Sequence, residues 1–196
     1  TVSPEAERIG AINTVVNENG RWVGHNTDGI GALKALQAHG GVQDRRVLIV
    51  GAGGTAKAIG HTLAANGARL TLTYNRNREG AQALADRLGA RLIPVRSLDQ
   101  EDMDILINCS PVGMHPDIRD TPCPAGALKP GMIVFDCVYN PLETRLIREA
   151  RAAGCTAIPG VELFVNQAVA QFELWTGRAA PTDSMRQVVL NKLKEH

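Results

Sequence analysis

The chain has 196 residues, of which 44% are hydrophobic and 21% charged, with a formal net charge of +1. That length suits one ordinary domain, or one domain with part of another. Scattered basic residues leave no nucleic-acid footprint, no apolar run approaches the ~20 residues that span a bilayer, and Thr1-Val2-Ser3-Pro4-Glu5 lacks a signal-peptide core, so a cytoplasmic setting is expected.

In chain order, the first signal is a hairpin. Asn13-Thr14-Val15-Val16 and Arg21-Trp22-Val23-Gly24 flank Asn17-Glu18-Asn19-Gly20, and Asn-Gly between apolar runs is the strongest short turn signal. A helix over Ile30 to Ala38 leads to a buried strand at Val47-Leu48-Ile49-Val50. Then follow a small-residue helix from Thr55 to Asn66 closed by Gly67, a strand from Arg69 to Tyr74, and a helix from Glu79 to Leu88 closed by Gly89. Arg91 to Val95 is a weak strand that Pro94 places near an edge. Asp104 to Asn108 and Met132 to Asp136 are strong strands. A helix from Glu143 to Ala153 ends at Gly154, and Cys155 to Ile158 is a last strand. Beyond it, Val161, Val165, Ala168, Phe172 and Trp175 share one helical face closed by Gly177, and Met185, Val189 and Leu193 align on a helix from Asp183 to Leu193.

Strands alternating with helices through short connections require a parallel sheet covered on both faces, joined by right-handed crossovers. The expected fold class is α/β, a Rossmann-type doubly wound parallel sheet. The hairpin does not fit a purely parallel sheet, so the two chain ends are expected to form the remnant of a second α/β domain. The expected division is 1–28 for that remnant, 29–159 for the nucleotide-binding domain, and 160–196 for helices packing back towards the remnant, with hinges near Asp28 and Gly160.

Cys109, Cys123, Cys137 and Cys155 include no C-x-x-C pair and read as reduced thiols in or near the core. The five histidines are dispersed, so no metal site is expected. The chemical signal is Val50-Gly51-Ala52-Gly53-Gly54-Thr55-Ala56, placed between a strand and a helix. Gly51 lets the chain turn tightly, Gly53 lets backbone approach a pyrophosphate, and Gly54 or Ala56 keeps the helix close to the sheet. The first-turn N–H groups, with the helix dipole, favour an anion there. The alternative is a sharp turn with no ligand. At the end of the second Rossmann strand, Tyr74-Asn75-Arg76-Asn77-Arg78 lacks the acid that would accept the ribose hydroxyls of NAD. Arg76 would attract a 2′-phosphate, Asn75 and Asn77 can add neutral bonds, and Arg78 a second charge, so NADP is the expected cofactor. A solvated basic turn is the alternative.

Gly10-Ala11-Ile12-Asn13-Thr14, Asn26-Thr27-Asp28-Gly29, the Gly51 loop with Asn75-Arg76, Asn108-Cys109-Ser110-Pro111-Val112-Gly113-Met114, Tyr139-Asn140-Pro141 with Glu143-Thr144, and Gly160 through Gln167 together resemble the shikimate/quinate dehydrogenase family, in the family's order and over nearly the whole chain. The resemblance implies the reversible reduction of 3-dehydroshikimate to shikimate by NADPH, a step of aromatic amino-acid biosynthesis. It places Asn13 and Gln167 on substrate hydroxyls, Asp28 in proton transfer and hydroxyl binding, and Tyr139 near nicotinamide and substrate. It places Ser110 to Met114 along the nicotinamide, with Gly160 close by. Each residue also has a plainer reading: Asp28 as a helix cap, Asn13 as a strand-start residue, Gln167 as an exposed helix position, and Tyr139 as a core residue.

The resemblance further implies a segment of roughly eighty to a hundred residues ahead of the Gly10 motif, carrying a lysine and a serine pair of the substrate domain. Lys34, Lys57, Lys129, Lys192 and Lys194 match no such motif. The chain on its own is therefore expected to bind NADP(H) but to turn shikimate over poorly, as a fragment or as part of a homodimer or a longer fusion. Pro159-Gly160-Val161-Glu162-Leu163-Phe164 departs from the family's D-G-x-x-M-L, with Leu163 in place of methionine. A nucleotide-binding module without catalysis and a quinate dehydrogenase are the alternatives.

Overall fold

A computed structural model describes residues 1–75 and 77–194. Its centre is a six-stranded, all-parallel sheet in which chain order and spatial order differ. The strands are β3 (Arg46–Val50), β4 (Arg69–Tyr74), β5 (Arg91–Pro94), β6 (Ile105–Asn108), β7 (Ile133–Asp136) and β8 (Thr156–Ile158), arranged β5-β4-β3-β6-β7-β8. The order reverses beside β3, which pairs with both β4 and β6, and that switch point is where open α/β sheets take ligands. Pro94 does fall on an edge strand, where a missing backbone donor costs no ladder bond.

Alternate side chains of the central strands feed two cores. Val47 and Ile49 pack with Ile105, Ile107 and Phe135 under α2 (Asp28–Gln37), α3 (Gly54–Ala65), α4 (Arg78–Leu88) and the start of α6 (Val161–Thr176). Leu48 and Val50 pack with Leu106 and Val134 on the other face, under α5 (Arg145–Ala152) and two short 3-10 turns, Val95–Gln100 and Ala125–Ala127. Strands buried on both faces are why these segments read as unbroken apolar runs.

The hairpin forms as expected. β1 (Thr14–Glu18) pairs antiparallel with β2 (Arg21–His25) in a separate two-stranded sheet. Its turn carries positive φ at Asn19 (53°) and Gly20 (87°), matching a type I′ turn. Helix α1 (Pro4–Ile9) and the 3-10 turns were not anticipated. α1 is only six residues long, too short for periodicity, yet it is capped by Ser3, whose Oγ accepts from Ala6 N at 3.1 Å. The face expected on α6 holds for Val161 and Val165, but burial then passes to Val169, and Trp175 is 57% exposed. Helix α6 packs against both α2 and α7 (Thr182–Lys194). No helix among the described residues is long and apolar enough to cross a membrane.

Two local devices set the geometry. At the foot of the sheet, Asp104 ties β6 to β3: its Oδ2 accepts from Arg46 N at 2.8 Å and Arg46 Nε at 3.1 Å, and its Oδ1 from the guanidinium at 2.6 Å. On the helical side, α2 meets α6 with no room for a side chain at Gly31, where a Cβ would lie 2.8 Å from the backbone N of Gln167 and 3.2 Å from its Cα.

Gly31→Ala is expected to lower the unfolding free energy by about 1 kcal/mol or more in urea denaturation, because forcing two backbones apart outweighs the ~1 kcal/mol that alanine gains in a helix. Gly60→Ala, whose Cβ would press only on the end of the Leu88 side chain, is the matched control and should be nearly neutral. The Arg46 guanidinium holds the Asp104 carboxyl below its ordinary 3.8, at about 2. A depressed folded-state value means stabilisation that is complete above about pH 4 and fades as pH falls towards 2. Thermal melts across that window should show a smaller acid-induced loss in Asp104→Asn than in the parent chain.

Candidate functional site

The glycine loop lies at the switch point. Gly51 follows β3 with φ at +109°, a region closed to most side chains, and a Cβ there would sit 3.1 Å from the carbonyl of Cys109. Gly53 is the N-cap of α3 and brings no side-chain cap, and the first helical bond is Lys57 N to Gly53 O at 3.0 Å. The amides of Gly54, Thr55 and Ala56 therefore precede the ladder and suit an anion. Gly53 has open space where a Cβ would be, so backbone can approach a diphosphate. Of the two residues expected to hold helix to sheet, the structure selects Ala56, which is fully buried, whereas Gly54 is exposed. This loop fits a dinucleotide.

At the end of β4, Asn77 is the N-cap of α4, and its Oδ1 accepts from Gly80 N at 2.8 Å. One lone pair of its carbonyl oxygen is thus committed, and its amide nitrogen keeps both donors for a ligand. The Arg78 guanidinium sits over the Tyr74 ring, 5.9 Å from its centroid. Asn75 adjoins them, and Arg76 lies outside the described residues.

A second group of expected residues converges at the start of α2. Asn13 immediately precedes β1, and its Nδ2 donates to Asp28 Oδ1 at 2.8 Å and to Thr27 Oγ1 at 3.1 Å. Asn13 Oδ1 accepts from Thr27 N at 3.0 Å. The Thr27 hydroxyl, 2% exposed, also reaches Gln167 Oε1 at 3.5 Å. Thr27 occupies the N-cap position and Asp28 is the first residue of α2, so Asp28 is not the cap. Burial raises the Asp28 carboxyl above the ordinary carboxylate range, partly offset by the Asn13 bond. Ala11, two residues before Asn13, lies 3.9 Å from where Gly54 would carry a Cβ, so this cluster adjoins the glycine loop.

The third side comes from the loops after β6 and β7. Tyr139 is exposed on one side and packs its ring against Phe164, with centroids 4.6 Å apart. Phe164 O accepts from Gln167 Nε2 at 3.0 Å, which links Tyr139 to the Asn13–Asp28 cluster through α6. Gly160 makes this possible: any Cβ there would collide with the backbone of Val138 and Tyr139. Ser110 turns inward, its N and Oγ both donating to Asn108 Oδ1, at 3.0 and 2.6 Å, while Met114 is exposed. Cys109 and Cys137 bring their sulfurs within 3.8 Å, and their mutual bond, burial and the charges of Asp136 and Asp28 keep the Cys137 thiol protonated well beyond the usual range.

Sequence reasoning assigned no role to the polar residues beneath these loops. Asn108 and Asp136 are register partners at the last positions of β6 and β7, and both are fully buried. Asn108 Nδ2 donates to Asp136 Oδ1 at 2.9 Å and Val112 O at 3.2 Å. Asp136 also accepts from Val138 N at 3.0 Å and Thr144 Oγ1 at 2.6 Å. Burial pushes the Asp136 carboxyl upward against these three bonds. The available signal was a polar residue closing each of two otherwise apolar strands. Thr27 carried no signal beyond its neighbours.

Comparison with known proteins agrees with this geometry. Residues 33–114 match the family model for shikimate / quinate 5-dehydrogenase, and residues 160–190 the model for the shikimate 5′-dehydrogenase C-terminal domain. A shikimate dehydrogenase (NADP(+)) of Methanosarcina acetivorans is 45% identical over 202 residues, covering 97% of this chain and 72% of that protein. A shikimate dehydrogenase solved with NADP+ superposes with a TM-score of 0.92 at 34% identity, covering 98% of this chain and 70% of the other. The shikimate 5-dehydrogenase of Thermus thermophilus, solved with NADP(H) and shikimate, gives a TM-score of 0.88 at 36% identity, covering 97% and 71%. With its switch-point glycine loop adjoining the Asn13–Asp28–Gln167 cluster, and with these relatives, the chain belongs to the shikimate dehydrogenase family.

Proposed function

We propose that the chain works as an NADP-dependent shikimate dehydrogenase, interconverting 3-dehydroshikimate and shikimate. The observation that carries this reading is the hydrogen-bonded cluster of Asn13, Thr27, Asp28 and Gln167 beside the glycine loop. Nucleotide binding alone requires none of these residues, whereas a polyol substrate needs several fixed polar groups in a concave site.

NADPH, when bound, supplies the hydride. The chain's own residues bind and orient. The uncapped amides of Gly54 and Thr55, with Gly51, Ala52 and Gly53, cradle the diphosphate. Asn75, Arg76, Asn77 and Arg78 take the adenine-ribose phosphate, with Arg76 as the principal charge. Ser110, Met114, Tyr139 and Gly160 border the nicotinamide. Asn13 and Gln167 hold substrate hydroxyls, with Tyr139 beside them. Asp28 uses Oδ1 to accept from Asn13, which leaves its other oxygen for a substrate hydroxyl. Its raised pKa favours holding a proton at that oxygen, the role required when a carbonyl becomes an alcohol. On the same reading, residues 29–159 are the nucleotide domain, and residues 1–28 with 160–196 form the substrate side. The separate hairpin sheet, and the bond from Trp175 Nε1 on α6 to Val15 O on β1, support that division.

Calorimetry is expected to show tighter binding of NADPH than NADH. Arg76→Ala should weaken NADPH by roughly tenfold or more, the size of a lost charge-assisted bond, and leave NADH nearly unchanged. Equal affinities in the parent chain would overturn the cofactor assignment. In the polypeptide as it occurs naturally, Asp28→Asn should slow shikimate-dependent NADP+ reduction by about a hundredfold or more while NADPH affinity stays within about twofold. Undiminished turnover would remove Asp28 from the chemistry.

A further inference from the structure

The loops after β6 and β7 carry Ser110 and Tyr139, and each leaves the sheet at a fully buried polar residue. Burying an amide and a carboxylate side by side in an apolar sheet is unfavourable unless every polar atom is matched. Here the matching is complete for Asn108. Its amide nitrogen donates both hydrogens, to Asp136 Oδ1 and Val112 O, and its oxygen accepts twice, from Ser110 N and Oγ. Asp136 accepts from Asn108, from Val138 N in the second loop, and from Thr144 at the start of α5. The bonds thus run without a break from the Ser110 loop, through the two strand ends, to the Tyr139 loop. At the surface the same loops meet again, where His115 N donates to Asn140 O at 3.2 Å.

We propose that Asn108 and Asp136 are positioning residues that fix the spacing of the two loops bordering the nicotinamide, and so set how tightly the nicotinamide half of the cofactor is held. This rests on the placement of Ser110 and Tyr139 given under Proposed function. Neither residue touches the cofactor, because both are sealed from solvent. They act through the backbone of residues 110–112 and 138–139. On the proposed placement the adenine half would meet the glycine loop and the end of β4, whose described residues make no hydrogen bond to Asn108 or Asp136.

The bond pattern also separates tolerated from damaging changes. Asp136→Asn can keep its oxygen for Asn108 and Val138 N, and turn its new amide towards the Thr144 oxygen. Asn108→Ala removes the buried link between the two loops and leaves only the surface bond from His115 N to Asn140 O.

The test compares two ligands by calorimetry and by NADPH fluorescence: NADPH itself, and adenosine 2′,5′-bisphosphate, which carries the adenine half alone. Asn108→Ala is expected to weaken NADPH by about tenfold, to dampen the change in nicotinamide emission on binding, and to leave the bisphosphate within about twofold. Asp136→Asn should behave as the parent for both ligands. Should Asn108→Ala fail to fold, Thr144→Ala against Thr144→Ser decides: alanine should weaken NADPH selectively, and serine, which keeps the hydroxyl, should restore it. Unchanged NADPH affinity in the alanine variants, or an equal loss for both ligands, overturns the proposal and leaves a purely structural role. A parent chain that binds the bisphosphate but shows no nicotinamide emission change would instead fail the nicotinamide placement itself.

Discussion

Two helices can share polar residues across their interface only if their backbones come close, and here that closeness depends on the absence of side chains. At Gly31 the backbone of α2 lies directly against that of α6 at Gln167. At Gly160 the entry to α6 lies against the loop after β7. Between them these contacts hold α6 in a fixed position relative to both the start of α2 and the C-terminal ends of the strands. Gln167 then reaches Thr27 on one side, and Phe164 reaches Tyr139 on the other. Polar groups from the first thirty residues and the last forty thereby meet at the cleft of a sheet built by the middle of the chain.

The division of labour follows ordinary energetics. The sheet is stabilised by two apolar cores fed from alternate positions of the same strands. Apart from the Arg46–Asp104 pair at its foot, the polar groups described on the sheet gather at the end where strands stop and these loops begin. There the buried Asn108 and Asp136 are matched bond for bond, whereas Asn13, Asp28 and Gln167 keep acceptors or donors in reserve. A saturated network specifies a shape, and an unsaturated one offers binding capacity.

Most of the fold was legible in the sequence because strongly buried parallel strands and small-residue helices carry unambiguous patterns. The six sheet strands, the hairpin and the helices α2 to α7 all fall within a few residues of expectation. What escaped was short or non-local. The single-turn helix at Pro4–Ile9 has capping chemistry but too few residues for a period. The tight turn at Gly51 was read from the strand–turn–helix context, and its φ of +109° agrees. The assignment of Ala56 over Gly54 as the close-packing residue needed the observed burial. The pairing of Asn108 with Asp136 depends on strand register, and the approach of Cys109 to Cys137 on the same register one step further. No local pattern encodes either. Gln167 was visible as a polar position among apolar neighbours, but its partner Thr27 lies 140 residues away.

The hairpin has a consequence for observing the molecule. The chain has two tryptophans. Trp22 stands on β2, 65% exposed, and Trp175 at the end of α6 donates its indole N–H to Val15 O of β1 at 3.0 Å. Both chromophores therefore sit at the same extremity, remote in sequence from the dinucleotide loop. Intrinsic emission reads the state of that extremity rather than of the molecule as a whole. With excitation selective for tryptophan, a shift in wavelength during a titration reports a change at the hairpin and the end of α6, and the strands of the six-stranded sheet, which carry no tryptophan, do not contribute to it.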